Sequence, residues 1–253
     1  MALNRRRFLA AAAAMGASAV FGCSRTSVSR SAWRERRDSF PEGVASGDPD
    51  PGSVLLWTRY PAGPGRERLT VEVAEDPAFQ RVVAASEVPV SAVTDWTCRV
   101  LVGGLTPRTV YWYRFTDADG NGSRIGRTTT APDDDDERPV RFAFVSCQNA
   151  NQGAQNAYRR MIFEDLRAPA GERLGFVLHL GDFIYEIVWY PEDRPNGMYD
   201  RRLRDIVRYP HGEKISDFHI PTTVEDYRAV YKAYLHDPDL QDARARWPFV
   251  SMW

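Results

Sequence analysis

The chain has 253 residues, with 33 basic and 34 acidic side chains and a formal net charge of -1, so no global field steers it toward nucleic acid or an anionic membrane surface. Its length suggests one to two domains, at roughly 150 residues each. The three cysteines, Cys23, Cys98 and Cys147, have no evident pairing, which speaks against a disulfide framework.

The first element in chain order is a targeting segment, set apart from the fold. Asn4-Arg5-Arg6-Arg7-Phe8-Leu9 carries a paired-arginine pattern. An alanine-rich apolar stretch over residues 10–22 follows without an acidic residue, too short to span a bilayer as a stable helix. That pattern is the address read by the twin-arginine translocase, and it implies export to the periplasm or another extracytoplasmic space. Two processing readings stand. Ala17-Ser18-Ala19 offers a small-x-small peptidase site, whereas Val20-Phe21-Gly22-Cys23 approximates a lipobox in which Cys23 carries a lipid anchor. The polar tether over residues 24–31 favours the second.

Residues 53–60, 69–74, 81–90, 96–102 and 110–116 are β-branched or aromatic runs separated by Gly, Pro and Asp turns, which predicts an antiparallel sandwich. Gly104-Leu105-Thr106-Pro107 leads to Tyr111 at a strand entry, as in the tyrosine corner of Ig-like and fibronectin-like domains. Residues 117–122 (DADGNG) form a hairpin turn. No convergent polar cluster marks this part, so it supports or shapes the site. The consecutive carboxylates Asp133, Asp134, Asp135, Asp136 and Glu137 repel one another and lack the alternating geometry of a calcium loop. A solvated, extended linker is expected over residues 131–139.

Past the linker the period changes. Residues 141–145 (RFAFV) and 176–180 (FVLHL) read as strands, and between them Ala157, Tyr158, Met161, Ile162 and Leu166 recur at helical spacing. In the resulting βαβ unit the strands run parallel and their C-terminal ends lie side by side. One strand ends in Ser146-Cys147-Gln148 and the other in Gly181-Asp182, so Cys147 and Asp182 should converge where ligands bind in open α/β sheets. Tyr185 leaves the same loop. Taken singly, a cysteine after a strand is a small buried hydrophobe and Gly-Asp a turn. On adjacent parallel strands, a thiolate, a carboxylate and a phenolate become anionic donors for a highly charged metal ion. His179, inside the apolar run, reads as a core histidine satisfied by a backbone partner.

Residues 187–220 turn irregular, with Trp189, Tyr190, Tyr199 and Tyr209, and predict a long loop overhanging the metal site. Arg201, Arg202 and Arg204 are either available to phosphate oxygens or simply solvated. Thr222-x-x-Glu225 is a capping-box signature for a helix from 223 to about 235, with Tyr227, Val230, Tyr231 and Tyr234 on one packing face. A shorter helix over 239–246 and a strand beginning at 248 follow.

Ser146-Cys147-Gln148 followed by Gly181-Asp182-Phe183-Ile184-Tyr185-Glu186 resembles the PhoD-like alkaline phosphatases, a branch of the calcineurin-like metallophosphatases. Residues 43–59 (GVASGDPDPGSVLLWTR), 226–234 and 237–241 extend the resemblance from about residue 40 to the end. Most calcineurin-like enzymes open the metal site with Asp-x-His; Ser-Cys-Gln is the PhoD-like pattern. The resemblance implies Fe3+ with Ca2+ as cofactors. Asp182 would be the catalytic carboxylate bridging both metals, with Cys147 and Tyr185 on the ferric ion, and a metal-bound hydroxide would hydrolyse a phosphate ester. It also implies the architecture. An all-β Ig/fibronectin-like N-terminal sandwich (40–131) follows the targeting segment and tether (1–31). An incomplete α/β metallophosphatase domain of the α/β/β/α sandwich type (138–253) comes after it. In that family the last strand runs into Trp-Asp-Asp-His-Glu, of which Trp253 is present here. An incomplete domain should expose apolar surface and show little activity by itself. Two other readings remain at this point: an extracytoplasmic nuclease or phosphodiesterase using the same metals, and a catalytically inert, anchored β-sandwich binding module.

Overall fold

The computed structural model describes residues 18–21, 27–61, 63, 65–198, 202, 203, 205 and 207–252. Arg5, Arg6, Cys23, Tyr199, Arg201, Arg204 and Trp253 lie outside the described residues.

Two edge pieces, β1 (Ser18–Phe21) and β2 (Arg34–Glu35), precede β3 (Val44–Asp50), β4 (Ser53–Arg59), β5 (Arg68–Ala74), β6 (Val82–Pro89), β7 (Thr97–Gly103) and β8 (Val110–Thr116). The short β9 (Asn121–Gly122) and β10 (Gly126–Thr129) close the β-rich half. β1-β7-β4-β3 form one layer and β2-β9-β8-β5-β6 the other, with β10 also paired to β8. Side chains alternate across a strand, so β4 buries Val54, Leu56 and Thr58 and turns its other residues outward. Val54, Leu56, Val100 and Val102 meet Leu69, Val71, Tyr113 and Phe115 in one core. Each such apolar side chain contributes roughly 1.5–3 kcal/mol when fully buried. The corner forms as predicted: Tyr111 Oη accepts from Thr106 N at 3.0 Å. β1 falls inside the expected targeting segment and pairs in parallel with β7, Ser18 opposite Val100, so it occupies that sheet edge.

The acidic linker is not extended. Asp136 N bonds Asp133 O at 3.1 Å in a turn, and the Asp136 carboxylate meets Arg108 at 3.0 Å and Arg138 at 2.5 Å. Two guanidiniums thus offset the repulsion that would hold the run straight.

β11 (Phe142–Val145), α1 (Asn156–Arg167) and β12 (Phe176–His179) make the predicted βαβ unit, its strands parallel with Val145 opposite His179. The hairpin β13 (Glu213–Ile215) and β14 (Phe218–Ile220) comes next, then α2 (Val224–Leu235), α3 (Pro238–Arg246) and β15 (Pro248–Ser251). β15 lies between β12 and β3 and is parallel to both. One sandwich layer therefore continues without a break into the parallel sheet, in the order β1-β7-β4-β3-β15-β12-β11. Gly47 permits the join, since a Cβ there would lie 2.9 Å from Phe249 O. Residues 44–50 carry no strand signal because Gly47-Asp48-Pro49-Asp50 is built of turn residues. The structure places a register shift between Gly47 and Asp50, with Asp48 at φ 44. Tyr158, Leu240, Ala243 and Trp247 pack on Val177 and Phe249 beneath the parallel strands. β11 is the open edge of the sheet among the described residues, and its Phe144 is 70% exposed.

Two local expectations are corrected. The N-cap of α2 is Thr223, not Thr222, and its reciprocal partner is Asp226 rather than Glu225. Asp226 is wholly buried and also accepts from His211 N at 2.8 Å and Thr222 N at 3.0 Å. Burial alone would raise its pKa, but these bonds and those from Thr223 bring it down to about 2. Residues 187–220 are not a bare loop either. They include the β13–β14 hairpin, and Val188, Tyr190, Val207 and Tyr209 are buried against Val230 and Tyr234 of α2. Aromatic residues without helical or strand period hide this packing from a periodicity argument.

Candidate metal centre

β11 and β12 are in register, so the chain leaves both at the same level. Cys147 (φ 57) and Asp182 (φ 54) then take left-handed backbone conformations, with Gly181 at φ 113 between β12 and Asp182. A non-glycine residue there costs about 1–2 kcal/mol, and it persists where the surroundings over-determine it. Here they do. Cys147 N donates to Gly181 O and Gln148 N to Asp182 O, each at 3.3 Å. The buried Gln148 side chain donates to Phe183 O at 2.9 Å and accepts from Tyr158 Oη at 2.6 Å. The two strand-end loops are laced together, and α1 supplies the tie.

The expected convergence is present. Cys147 Sγ lies 3.3 Å and Tyr185 Oη 3.1 Å from the same atom, Asp182 Oδ2. Cys147 and Asp182 are exposed and Tyr185 is half-buried. Tyr185 is held by its backbone: its N–H donates to Tyr234 Oη at 3.0 Å, and that hydroxyl lies 3.5 Å from Asn149 Oδ1. The Tyr185 phenol is pushed above its ordinary pKa, first by its contact with Cys147, then by burial and by Asp182. Electron-rich donors crowd one point and oppose formation of a phenolate there. A cation placed among them reverses that sign. The donor chemistry therefore fits a metal ion. Among the described residues no group of three or more His, Cys, Asp and Glu side chains is placed to hold a metal ion, and Tyr185 is the third side chain at this point.

His179 is fully buried, and its Nδ1 accepts from Gly181 N at 3.3 Å. Its Nε2 has no partner among the described residues. Burial lowers its pKa, with Asp182 opposing, so the ring is held toward the neutral form. Arg202 is exposed. Gln148, Tyr158, Tyr234 and Asn149 position the donors but have no role legible in the sequence. Tyr158 and Tyr234 fall on packing faces of amphipathic helices, and their hydroxyls acquire a task only once those helices dock at the strand ends.

The ends of β11 and β12 thus bring a thiol, a carboxylate and a phenol to one point, and the comparisons with known proteins say what the chain is similar to. Residues 24–132 match the PhoD-like phosphatase N-terminal domain, and residues 142–253 match the PhoD-like phosphatase domain. Alkaline phosphatase D of Bacillus subtilis (strain 168) is 34% identical over 223 residues, 85% of this chain and 34% of that protein. The solved structure of PhoD superposes with a TM-score of 0.68 at 32% identity, over 85% of this chain and 38% of that one. The chain belongs to the PhoD-like phosphatase family, whose members are metallophosphatases that need metal ions. It spans about a third of the length of the relatives it matches. Its β-rich first half followed by an α/β region is the architecture expected of that family.

Proposed function

We propose that the protein serves the hydrolysis of phosphate esters, with Cys147, Asp182 and Tyr185 holding metal at the ends of β11 and β12. The approach of Sγ and a phenolic oxygen to one carboxylate oxygen, within 3.3 Å, carries this reading. Cations bound there would offset charge on the phosphate oxygens and lower the pKa of water from about 15.7 toward 7. Asp182 would be the carboxylate shared between metals, and Cys147 and Tyr185 the ligands of the more highly charged one. Gln148 and Tyr158 keep the two loops in register, and Tyr234 sets the height of Tyr185. Ferric ion with calcium is the pair the family resemblance favours.

Colour tests the ligand set. With ferric ion supplied, a bound tyrosinate should give a visible charge-transfer band. Tyr185→Phe should abolish it, whereas Tyr227→Phe should keep it, since Tyr227 is exposed rather than on the packing face expected for it. Cys147→Ser should weaken iron retention, because a hydroxyl is a far poorer anionic ligand than a thiolate. An iron-loaded Tyr185→Phe protein of unchanged colour would remove Tyr185 from the site.

Export by the twin-arginine route belongs to the same proposal, with the mature protein periplasmic or extracytoplasmic and Cys23 a possible point of lipid attachment. Paired arginines are read as an address. Lysine at both Arg5 and Arg6 is therefore expected to leave the precursor in the cytoplasm on fractionation; undiminished export of that double variant would rule the route out.

A further inference from the structure

A cavity of about 990 Å³ opens between the outer face of β8 and β10 and the beginning of the parallel sheet. Arg141, at the start of β11, and Phe176, at the start of β12, line it. It therefore lies at the end of those strands opposite to Cys147 and Asp182.

Strand register builds its first wall. Trp112 pairs with Arg127 and Val110 with Thr129, and because side chains alternate, all four share one face of the ribbon. Tyr111, Tyr113 and Thr128 point the other way and are buried. Trp112 packs on Phe79 and Val82 and also faces the cavity.

The lining is cationic. Arg108, Arg127, Arg138, Arg141 and Arg173 line the cavity with a single carboxylate, the exposed Asp48. Arg108 and Arg138 are held by Asp136. Arg127 is not. Among the described residues it bonds Arg246 O at 3.2 Å, and no carboxylate pairs with it. Burial, then the neighbouring Arg246, depresses its pKa, with Asp165, itself paired to Arg246, opposing; an arginine nonetheless stays protonated in a protein. Two positions along the same strand face, Thr129 Oγ1 is buried without a hydrogen-bond partner. A cation with no carboxylate in hydrogen-bond reach and an indole face thus line a space large enough for a small molecule.

We propose that this cavity binds an organic anion, a flat apolar body against Trp112 with its carboxylate or phosphate on Arg127. A guanidinium recognises either anion through charge-assisted hydrogen bonds, which fall off sharply when the ligand loses its charge. Arg141 and Arg173, at the mouth, add attraction for the same sign.

Calorimetric titration of the full chain with 2-naphthoate, 2-naphthamide and inorganic phosphate tests this. Naphthoate should bind at least tenfold more tightly than the uncharged amide, and more tightly than phosphate alone. Arg127→Gln should weaken naphthoate at least tenfold, with an unchanged melting temperature. Tyr185→Phe, at the metal centre, should leave the affinity as it is. Phe144→Asp, on the exposed edge strand, should leave it unchanged too; loss of binding in that variant would place the ligand on β11 and overturn the proposal. Equal affinity for naphthoate and naphthamide would overturn it as well, and that comparison needs no variant to fold.

Discussion

Glu42→Ala is expected to lower the thermal midpoint by roughly 6–12 °C. The Glu42 side chain is 1% exposed and accepts from Arg59 Nη1 at 3.1 Å and from His236 Nε2 at 3.0 Å. Its own backbone oxygen lies 3.5 Å from Arg244 Nη1. This single residue ties the entry to β3, the end of β4, the end of α2 and the body of α3 together. Removing one partner of a buried pair costs about 3–5 kcal/mol. The lower end applies, because Arg59 keeps Asp95 at 3.1 Å. Each kcal/mol shifts the midpoint by about 2–4 °C in a protein of this size. Glu87→Ala, whose pair with Arg68 is exposed, should change stability by no more than about 1 kcal/mol. The pH dependence has a definite sign. Burial alone would raise the Glu42 pKa, but the His236 hydrogen bond and the Arg59 charge leave it lowered from 4.5. A depressed carboxylate stabilises the fold above its unfolded pKa and loses that contribution as pH falls through the folded value. The gap between wild type and Glu42→Gln should therefore shrink below about pH 4.5. Equal midpoints at pH 7 would show that the joint carries no net stability.

Much of the fold can be read locally. Turn spacing marks β4 to β8, the tyrosine corner follows from Gly104 to Tyr111, and the change of period after residue 140 predicts the βαβ unit and hence the meeting of Cys147 with Asp182. What escapes is non-local. The junction of the two halves is a pairing of Ser46 and Gly47 with Pro248 and Phe249, between segments at opposite ends of the chain, and the strand that makes it is disguised by Asp48 and Pro49. The positioning residues escape for a related reason. Gln148 gains its partners from α1 and from the loop after β12, and Tyr185 gains its anchor from α2. Helical spacing tells which face of those helices is buried, not which hydroxyl on that face meets a strand end. The cap of α2 shows the limit at single-residue scale: Thr222 and Thr223, Glu225 and Asp226 satisfy the same motif, and only the three backbone amides gathered by Asp226 decide between them.

Supplied with iron and calcium, the chain is expected to bind iron while turning over p-nitrophenyl phosphate at close to the blank rate. The described residues bring three donors to one point, and calcium alone takes roughly 6–8 oxygen ligands. On the proposed reading a single cation would be held by Cys147, Asp182 and Tyr185, whereas a clamp of two cations on one phosphate would need more than they offer. Asp182 is the shared member of the set, since both Sγ and Oη approach its Oδ2. Asp182→Ala should thus cost at least as much iron affinity as loss of an outer-shell partner, about 10–100-fold, measured by competition with a chelator. Gln148→Ala should cost less, because it loosens the loops without removing a donor. The two readouts separate the claims. Unchanged iron affinity in Asp182→Ala would move the metal elsewhere. Robust turnover of p-nitrophenyl phosphate abolished by Asp182→Ala would place the metal correctly and show instead that three donors suffice.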